Sequence, residues 1–463
     1  MRILIVNSTR LIRPPFLMPL GICQVAAAAE AKDHIVRLLD LCFVRNPESR
    51  LRQEIKALKP DCVGVSIGYA DDSNPECTAR SLRELTGIMD TIRRFTDAYV
   101  VIGGCGVNMA AREILELTSA DYAIVGEGES AFLGLIDSLS SGNPPAEKII
   151  SAFCDTETLA RFGFPGEIIE RLNLNPYLRY GVSAPIETKR VVHIDGTDLQ
   201  AAEHKTVRQK PPVVVADEIM TAADFGISSI EFADAEFNVP QSHAIHVCEE
   251  LIRRRNRVPL HTSSLTPRDV SVRLFRLMED AGFCGVGSYV ESASDEVLER
   301  GKKGYTANDI AHTVQSARHT SMAKMWVFVF GAPGETEETA NETLQFIRKH
   351  VDPHDVVVVS SGIRIVPGTD LARLALKEGI ISADEDLLYP TYYFSPMLSR
   401  DRLAKLILNS EFSGQIACTQ DVAWSGLPSV QRICSMLGVV PPYWRRTLPM
   451  MKIRRTLRRQ LHP

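Results

Sequence analysis

Four residues in the second half of the chain, Glu231, Asp234, His261 and Glu291, stand where short apolar runs give way to turns. Carboxylates and an imidazole at such places can take and give protons, the work of general acids and bases. Such a residue is more often a hydrogen-bonded part of the barrel scaffold than a catalyst. In the first half the corresponding places hold Ser66, Gly68, Gly103, Gly104, Gly106, Gly126 and Gly128, small residues that let backbone approach a large flat ligand. Metal chemistry finds less support. The ten cysteines, at 23, 42, 62, 77, 105, 154, 248, 284, 418 and 434, are never closer than the fifteen residues from Cys62 to Cys77. Neighbours in sequence therefore build no zinc knuckle, redox pair or cluster motif. Most lie in apolar runs such as "PDCVGVSIG" and "AGFCGVGSYV" and read as small buried hydrophobes.

These residues need a frame to hold them. Over residues 1–145 strand-sized runs ("RILIVN", "IVRLLDL", "CVGVSIG", "YVVIGG", "YAIVGEGE") alternate with amphipathic stretches ("SRLRQEIKAL", "SLRELTGIMDTIRRF", "SAFLGLIDSL"). That rhythm predicts βαβ units in a doubly wound, mostly parallel sheet, with ligand beyond the carboxyl ends of the strands. Residues 146–185 read as a connecting region. From 186 to 400 helix–strand units repeat ("AIHVCEELIRRR" then "PLHTSSL", "VSVRLFRLMEDAG" then "CGVGSYVE"), predicting a complete or partial TIM-type βα barrel with its site at the strand ends. Residues 401–463 read as helical and capping.

The first 145 residues resemble a known family. "PPFLMPLGICQVAA", "LKPDCVGVS", "VVIGGCGVN" and "ADYAIVGEGESAFLGLID" are similar to the N-terminal, Rossmann-like cobalamin-binding domain of the B12-dependent radical SAM enzymes. The resemblance implies a corrin resting on the turns after "VGVS", "VVIGG" and "VGEGE", the last adding Glu127 to the small residues above. Some cobalamin proteins carry an Asp-x-His-x-x-Gly loop after the first strand, whose imidazole ligates cobalt from below. Here the loop reads "NSTRLIRPPFLM" and holds no histidine, while His34 falls at a helix-to-strand turn on the other edge and reads as a surface residue. Cobalamin without a histidine lower ligand is therefore expected, with Arg10, Leu11 and Arg13 lining that face.

The second half resembles the radical SAM domain of the same family through "YVESASDEVLERGKKGYTANDI", "FGAPGETEETANETLQFI" and "IRIVPGTDLARLALKEGII". By that resemblance Glu291 and Ser292 lie near SAM, and the "GAPGE" turn with Gly334 and Glu335, and "RIVPG" with Arg364, border the SAM and substrate cavity. The family's defining loop follows Thr-Lys-Arg and reads Gly-Cys-x-x-x-Cys-x-x-Cys, three thiolates for a [4Fe-4S] cluster. After "ETKR" those cysteine places fall on Val192, Gly196 and Leu199. Downstream "VRQKPPVVVADEI" matches the family's next phrase, so the register is anchored on both sides. Cluster ligation needs soft anionic sulfur at fixed spacing, so no [4Fe-4S] cluster and no 5′-deoxyadenosyl radical are expected.

The resulting expectation is a cobalamin-dependent enzyme of radical SAM ancestry working by non-radical chemistry. SAM would methylate Co(I), and methylcobalamin would pass the methyl to a small or hydrophobic metabolite, or another polar transformation would take place. The alternative, from another class, is a non-catalytic cobalamin-binding partner, carrier or sensor. Composition agrees with a globular protein: 45% hydrophobic and 24% charged residues exclude a disordered or fibrous chain. No apolar run approaches the ~18 residues of a membrane span, and "MRILIVNSTR" reads as a strand rather than a signal peptide, so a cytoplasmic location is expected. From Arg445 onward there are seven Lys and Arg and no acid, leaving 45 basic against 57 acidic residues before it. An acidic body argues against nucleic acid as ligand. The basic tail could meet an anionic membrane surface or a partner protein. A redox partner is not legible.

Overall fold

A computed structural model describes residues 1–10, 18–68, 75–193, 205–268, 270–410, 415–418 and 427–446. Leu11, Arg13, Gly196, Leu199 and the basic tail beyond Arg446 lie outside the described residues. The chain divides into two compact units: residues 1–176 with 366–376 and 381–391, and residues 177–365 with 377–380 and 392–463.

The first unit is built on a six-stranded parallel sheet of β1 (Arg2–Asn7), β2 (Ile35–Asp40), β3 (Cys62–Ser66), β4 (Tyr99–Gly103), β5 (Tyr122–Gly126) and β6 (Ile149–Ala152). Their order in the sheet is β2-β1-β3-β4-β5-β6. Runs such as "ILIV" and "VVI" are buried on both faces of their strands, as a sheet with helices on both sides requires. Helices Leu20–Glu30 and Gly128–Ser140 pack together, as do Pro47–Leu58, Pro75–Phe95 and Ala111–Thr118. Register pairs Asp40 with Asn7, Asn7 with Ser66, and Ser66 with Gly103, so the carboxyl ends of four strands finish level. The sixth strand lies in the stretch read from sequence as connecting. It is four residues long and partnered on one side only, too little for a periodic pattern to reveal.

The second unit is a partial βα barrel. Its seven strands are β7 (Ala184–Ile186), β10 (Ile230–Phe232), β11 (Leu260–Leu265), β12 (Phe283–Glu291), β13 (Ala323–Phe330), β14 (Val356–Ser361) and β17 (Gln415–Cys418). They lie side by side in chain order, every pairing is parallel, and β7 and β17 form the two edges. Two antiparallel pairs stand apart: β8 (Lys189–His193) with β9 (Lys205–Gln209), and β15 (Ile363–Arg364) with β16 (Tyr392–Tyr393). The C-terminal region read as helical holds helices Arg400–Asn409 and Leu427–Met436, but it also supplies β17, a four-residue strand too short to stand out in sequence. Further on, Pro441 accepts the Cys284 thiol at 3.0 Å and the Trp444 ring meets His261 edge-on at 6.2 Å, so this segment packs at the amino ends of β11 and β12. Among the described residues no helix is long and apolar enough to cross a membrane.

Candidate functional site

Along the level carboxyl ends of the first unit, side chains are small and turns are tied to one another. Asn7 donates to Asp40 at 2.9 Å, the Ser8 hydroxyl to the Ser66 carbonyl at 2.9 Å, and the Gly68 N–H to Thr9 Oγ1 at 2.9 Å. The turn after β4 docks on the turn after β3: Ile67 N–H donates to Gly103 O at 2.8 Å and Gly106 N–H to Ile67 O at 3.0 Å. That approach requires glycine. At Gly104, with φ +99°, a Cβ would stand 2.6 Å from Ile67 O, and at Gly106 it would be driven into the Gly68 carbonyl. At the next turn Gly126 donates to Asn108 Oδ1 at 2.9 Å, Glu127 accepts the Cys154 N–H at 2.7 Å, and Gly128 opens a helix. Gly103, Gly104, Gly126 and Gly128 are accessible, so a ledge of bare backbone runs along this edge. It suits a broad, flat ligand such as a corrin. Arg10 turns its guanidinium to the Val44 carbonyl (3.1 Å) and Glu84 (3.6 Å). His34 is half-buried at the amino edge, its Nδ1 3.2 Å from the terminal amine, with burial holding its pKa below the ordinary value. It is remote from the strand ends where a lower cobalt ligand would be needed.

In the second unit the loop expected to carry iron ligands begins and ends on buried ion pairs. Asp234, read as a possible acid or base, is enclosed: its carboxylate accepts Thr188 N–H and hydroxyl, both at 2.8 Å, and Lys189 N–H at 3.1 Å. Lys189 Nζ lies 3.7 Å from Asp234 and donates to Phe237 O at 2.6 Å, with the two side chains 1% and 0% exposed. At the other stem Lys210 Nζ meets Glu218 at 2.7 Å, and Lys210 N–H donates to Thr188 O at 2.8 Å. Burial raises the Glu218 carboxyl to about 7 against the pull of Lys210. Between the stems β8 and β9 pair as a ribbon, in which Val192 faces Thr206 in register. No cysteine lies between Cys154 and Cys248, and among the described residues no group of three His, Cys, Asp or Glu could hold a metal. The loop's own residues thus offer no thiolate of the kind that [4Fe-4S] ligation uses.

Within the barrel, strand alternation gathers another group. Register puts Glu231 beside His261, and Ser263 on the same face donates to Glu231 at 3.0 Å. Across β12, Gly285, Gly287 and Tyr289 share a face, and a side chain at Gly287 would press on Ser263. The Glu231 side chain is 32% accessible and Tyr289 57%, yet each is hemmed in enough for burial to raise its pKa. His261 is buried and lowered to about 4, hence neutral at physiological pH, 3.8 Å from Glu231.

The remaining predicted residues do not join this group. Glu291, with φ +64°, is held by Lys303 at 2.6 Å. Ser292 is buried, bonded to Thr343 and Ser294. Gly334 lies against the Arg300 side chain. Glu335 is fully buried, accepts the Gly331 N–H and is raised to about 7 by burial. Arg364 lies half-buried on β15, opposite Tyr392. Sequence reasoning passed over Tyr289 and the stem lysines; "GVGSY" alternation could have flagged the tyrosine.

Residues 13–136 match the family described as B12 binding domain, and residues 192–347 the radical SAM superfamily. With the two sheets described above, these matches define the class: a B12-binding domain followed by a radical SAM domain. Among particular relatives, the chain is 22% identical to a methyltransferase of Pyrococcus horikoshii, over 78% of this chain and 79% of that one. It is likewise 22% identical to the tryptophan 2-C-methyltransferase of Streptomyces laurentii, over 78% and 72%. In fold it is similar to the radical S-adenosylmethionine methyltransferase TsrM of Kitasatospora setae, solved with cobalamin and a [4Fe-4S] cluster: TM-score 0.77 at 21% identity, over 99% of this chain and 100% of that one.

Proposed function

We propose that this protein is a cobalamin-dependent methyltransferase that moves a methyl group from SAM to a small nucleophilic substrate by polar displacement, without a [4Fe-4S] cluster. The observation that carries this reading is the cysteine-free loop with Val192, Gly196 and Leu199 at the ligand places, set between stems anchored by Asp234 and Glu218. Similarity to two methyltransferases supports the reaction class. The cobalamin would be held by the ledge of Ser66, Gly68, Gly103, Gly104, Gly106, Gly126, Glu127 and Gly128, while the Arg10 guanidinium is engaged with Val44 and Glu84. When bound, it supplies a metal centre able to accept a methyl group and hand it to a nucleophile.

The barrel's own residues serve the acceptor. Methylation of an N–H, O–H or acidic C–H group releases a proton, and Glu231, raised above an ordinary carboxylate and oriented by Ser263, accepts it. Tyr289 offers an aromatic wall, and neutral His261 keeps a competing positive charge away from Glu231. Overall the sulfur–methyl bond of SAM breaks, S-adenosylhomocysteine leaves, the acceptor–methyl bond forms and the acceptor's proton goes to Glu231. The test is anaerobic purification from cells supplied with cobalamin and iron, followed by cobalt, iron and sulfide analysis and incubation with methyl-labelled SAM. About one cobalt per chain, no iron, and label transfer without 5′-deoxyadenosine are expected. Stoichiometric iron and sulfide would overturn the reading.

A further inference from the structure

The first unit has a cavity of about 460 Å³ beside the turns after β1 and β2, whose lining includes Arg10, Arg45, Arg80 and Arg83 together with Glu48 and Glu84. The four guanidiniums come from three segments: the residues after β1, the turn after β2, and the helix Pro75–Phe95. Four cations face two carboxylates, and Glu84 is already shared by Arg80 at 3.2 Å and Arg10 at 3.6 Å. The Arg10 Nε is buried without a hydrogen-bond partner. Arg45 and Arg83 are exposed at the rim and, among the described residues, have no acidic partner. Gly87, one turn beyond Arg83 and Glu84 on the helix, adds no side chain to fill the space.

A concentration of positive charge repels itself, and an anion that binds there relieves that repulsion. Guanidinium forks match phosphate oxygens in pairs, and a volume of this size falls in the ~300–1,000 Å³ range of small-molecule sites. We infer that this cavity is a second ligand site, which takes a phosphorylated small molecule bearing at least two negative charges. One phosphate source is intrinsic to the class: the phosphodiester of cobalamin's own nucleotide tail, with a single charge. The ledge turns follow β3, β4 and β5, whereas the arginines come from the β1, β2 and β3 side, so the inference assigns the cavity to a separate molecule.

The experiment is calorimetric titration of inorganic pyrophosphate into the full-length, cobalamin-loaded protein, beside Arg45→Ala/Arg83→Ala and the cobalamin-free chain. Saturable binding is expected with and without cobalamin, weakening at least ~10-fold in the double variant and weakening again on raising the salt. The variant should keep its cobalt content, showing that the sheet and ledge are intact. Three results would overturn the inference: no saturable heat with the wild type, equal affinity in the double variant, or binding to the cobalamin-free chain that disappears on cobalamin loading. The last would return the arginines to the cofactor's own phosphodiester.

Discussion

Glu231 is the residue on which the proposed chemistry turns, because among the described residues it is the candidate carboxylate that stays accessible with no Lys or Arg partner, its neighbour His261 being neutral. Asp234 is consumed by Thr188 and Lys189, Glu291 by Lys303, and Glu335 by its own turn. Burial raises Glu231 above the ordinary carboxylate value of 4.5, while the Ser263 hydroxyl pulls the other way. A base must be ionised to act, so methyl transfer should fall as pH drops through this raised pKa. Glu231→Gln preserves size and removes the base. It should lower kcat by about 10²–10⁴-fold and abolish the acid limb of the pH–rate profile, with SAM binding unchanged. A full-rate Gln variant would remove Glu231 from the mechanism.

The stem of the β8–β9 ribbon is braced at both ends by buried ion pairs. Thr188 and Lys189 are fastened to Asp234, and Lys210 to both Thr188 and Glu218, so the loop's two ends are fixed together by buried charge. Removing one partner of such a pair leaves the other charge stranded, a cost of about 3–5 kcal/mol. Asp234→Ala should therefore lower the denaturation midpoint of the protein substantially, by far more than Glu250→Ala, whose partners Arg253 and Arg254 are on the surface of the same unit. Equal, small effects would show that the stem is not the brace described. His243, whose ring nitrogen lies 3.2 Å from Thr188 O, belongs to the same brace, with a pKa lowered chiefly by burial.

For the molecule as a whole, a ligand that binds only the folded ledge must stabilise it. Cobalamin at 100-fold excess over its dissociation constant should add about 2.7 kcal/mol, raising the thermal midpoint of the first unit. His34→Ala should leave both that increment and the corrin spectrum unaltered, since His34 stands at the amino edge beside Met1. A lost increment would place an imidazole under the cobalt after all. Much of this architecture was open to reading from sequence. Apolar runs buried on two faces announce a parallel sheet, the turn glycines mark where strands end, and the missing cysteines after "ETKR" are a matter of residue identity alone. What sequence could not decide is which polar residues of a barrel strand remain free. Asp234 and Glu231 are three residues apart and chemically alike. One is locked by groups 45 and 46 residues earlier in the chain, and the other meets a serine 32 residues later. Short edge strands β6 and β17 likewise exist only by pairing with β5 and β14. Residue type and local periodicity are properties of the chain, whereas partnership and accessibility arise only when distant segments are brought together.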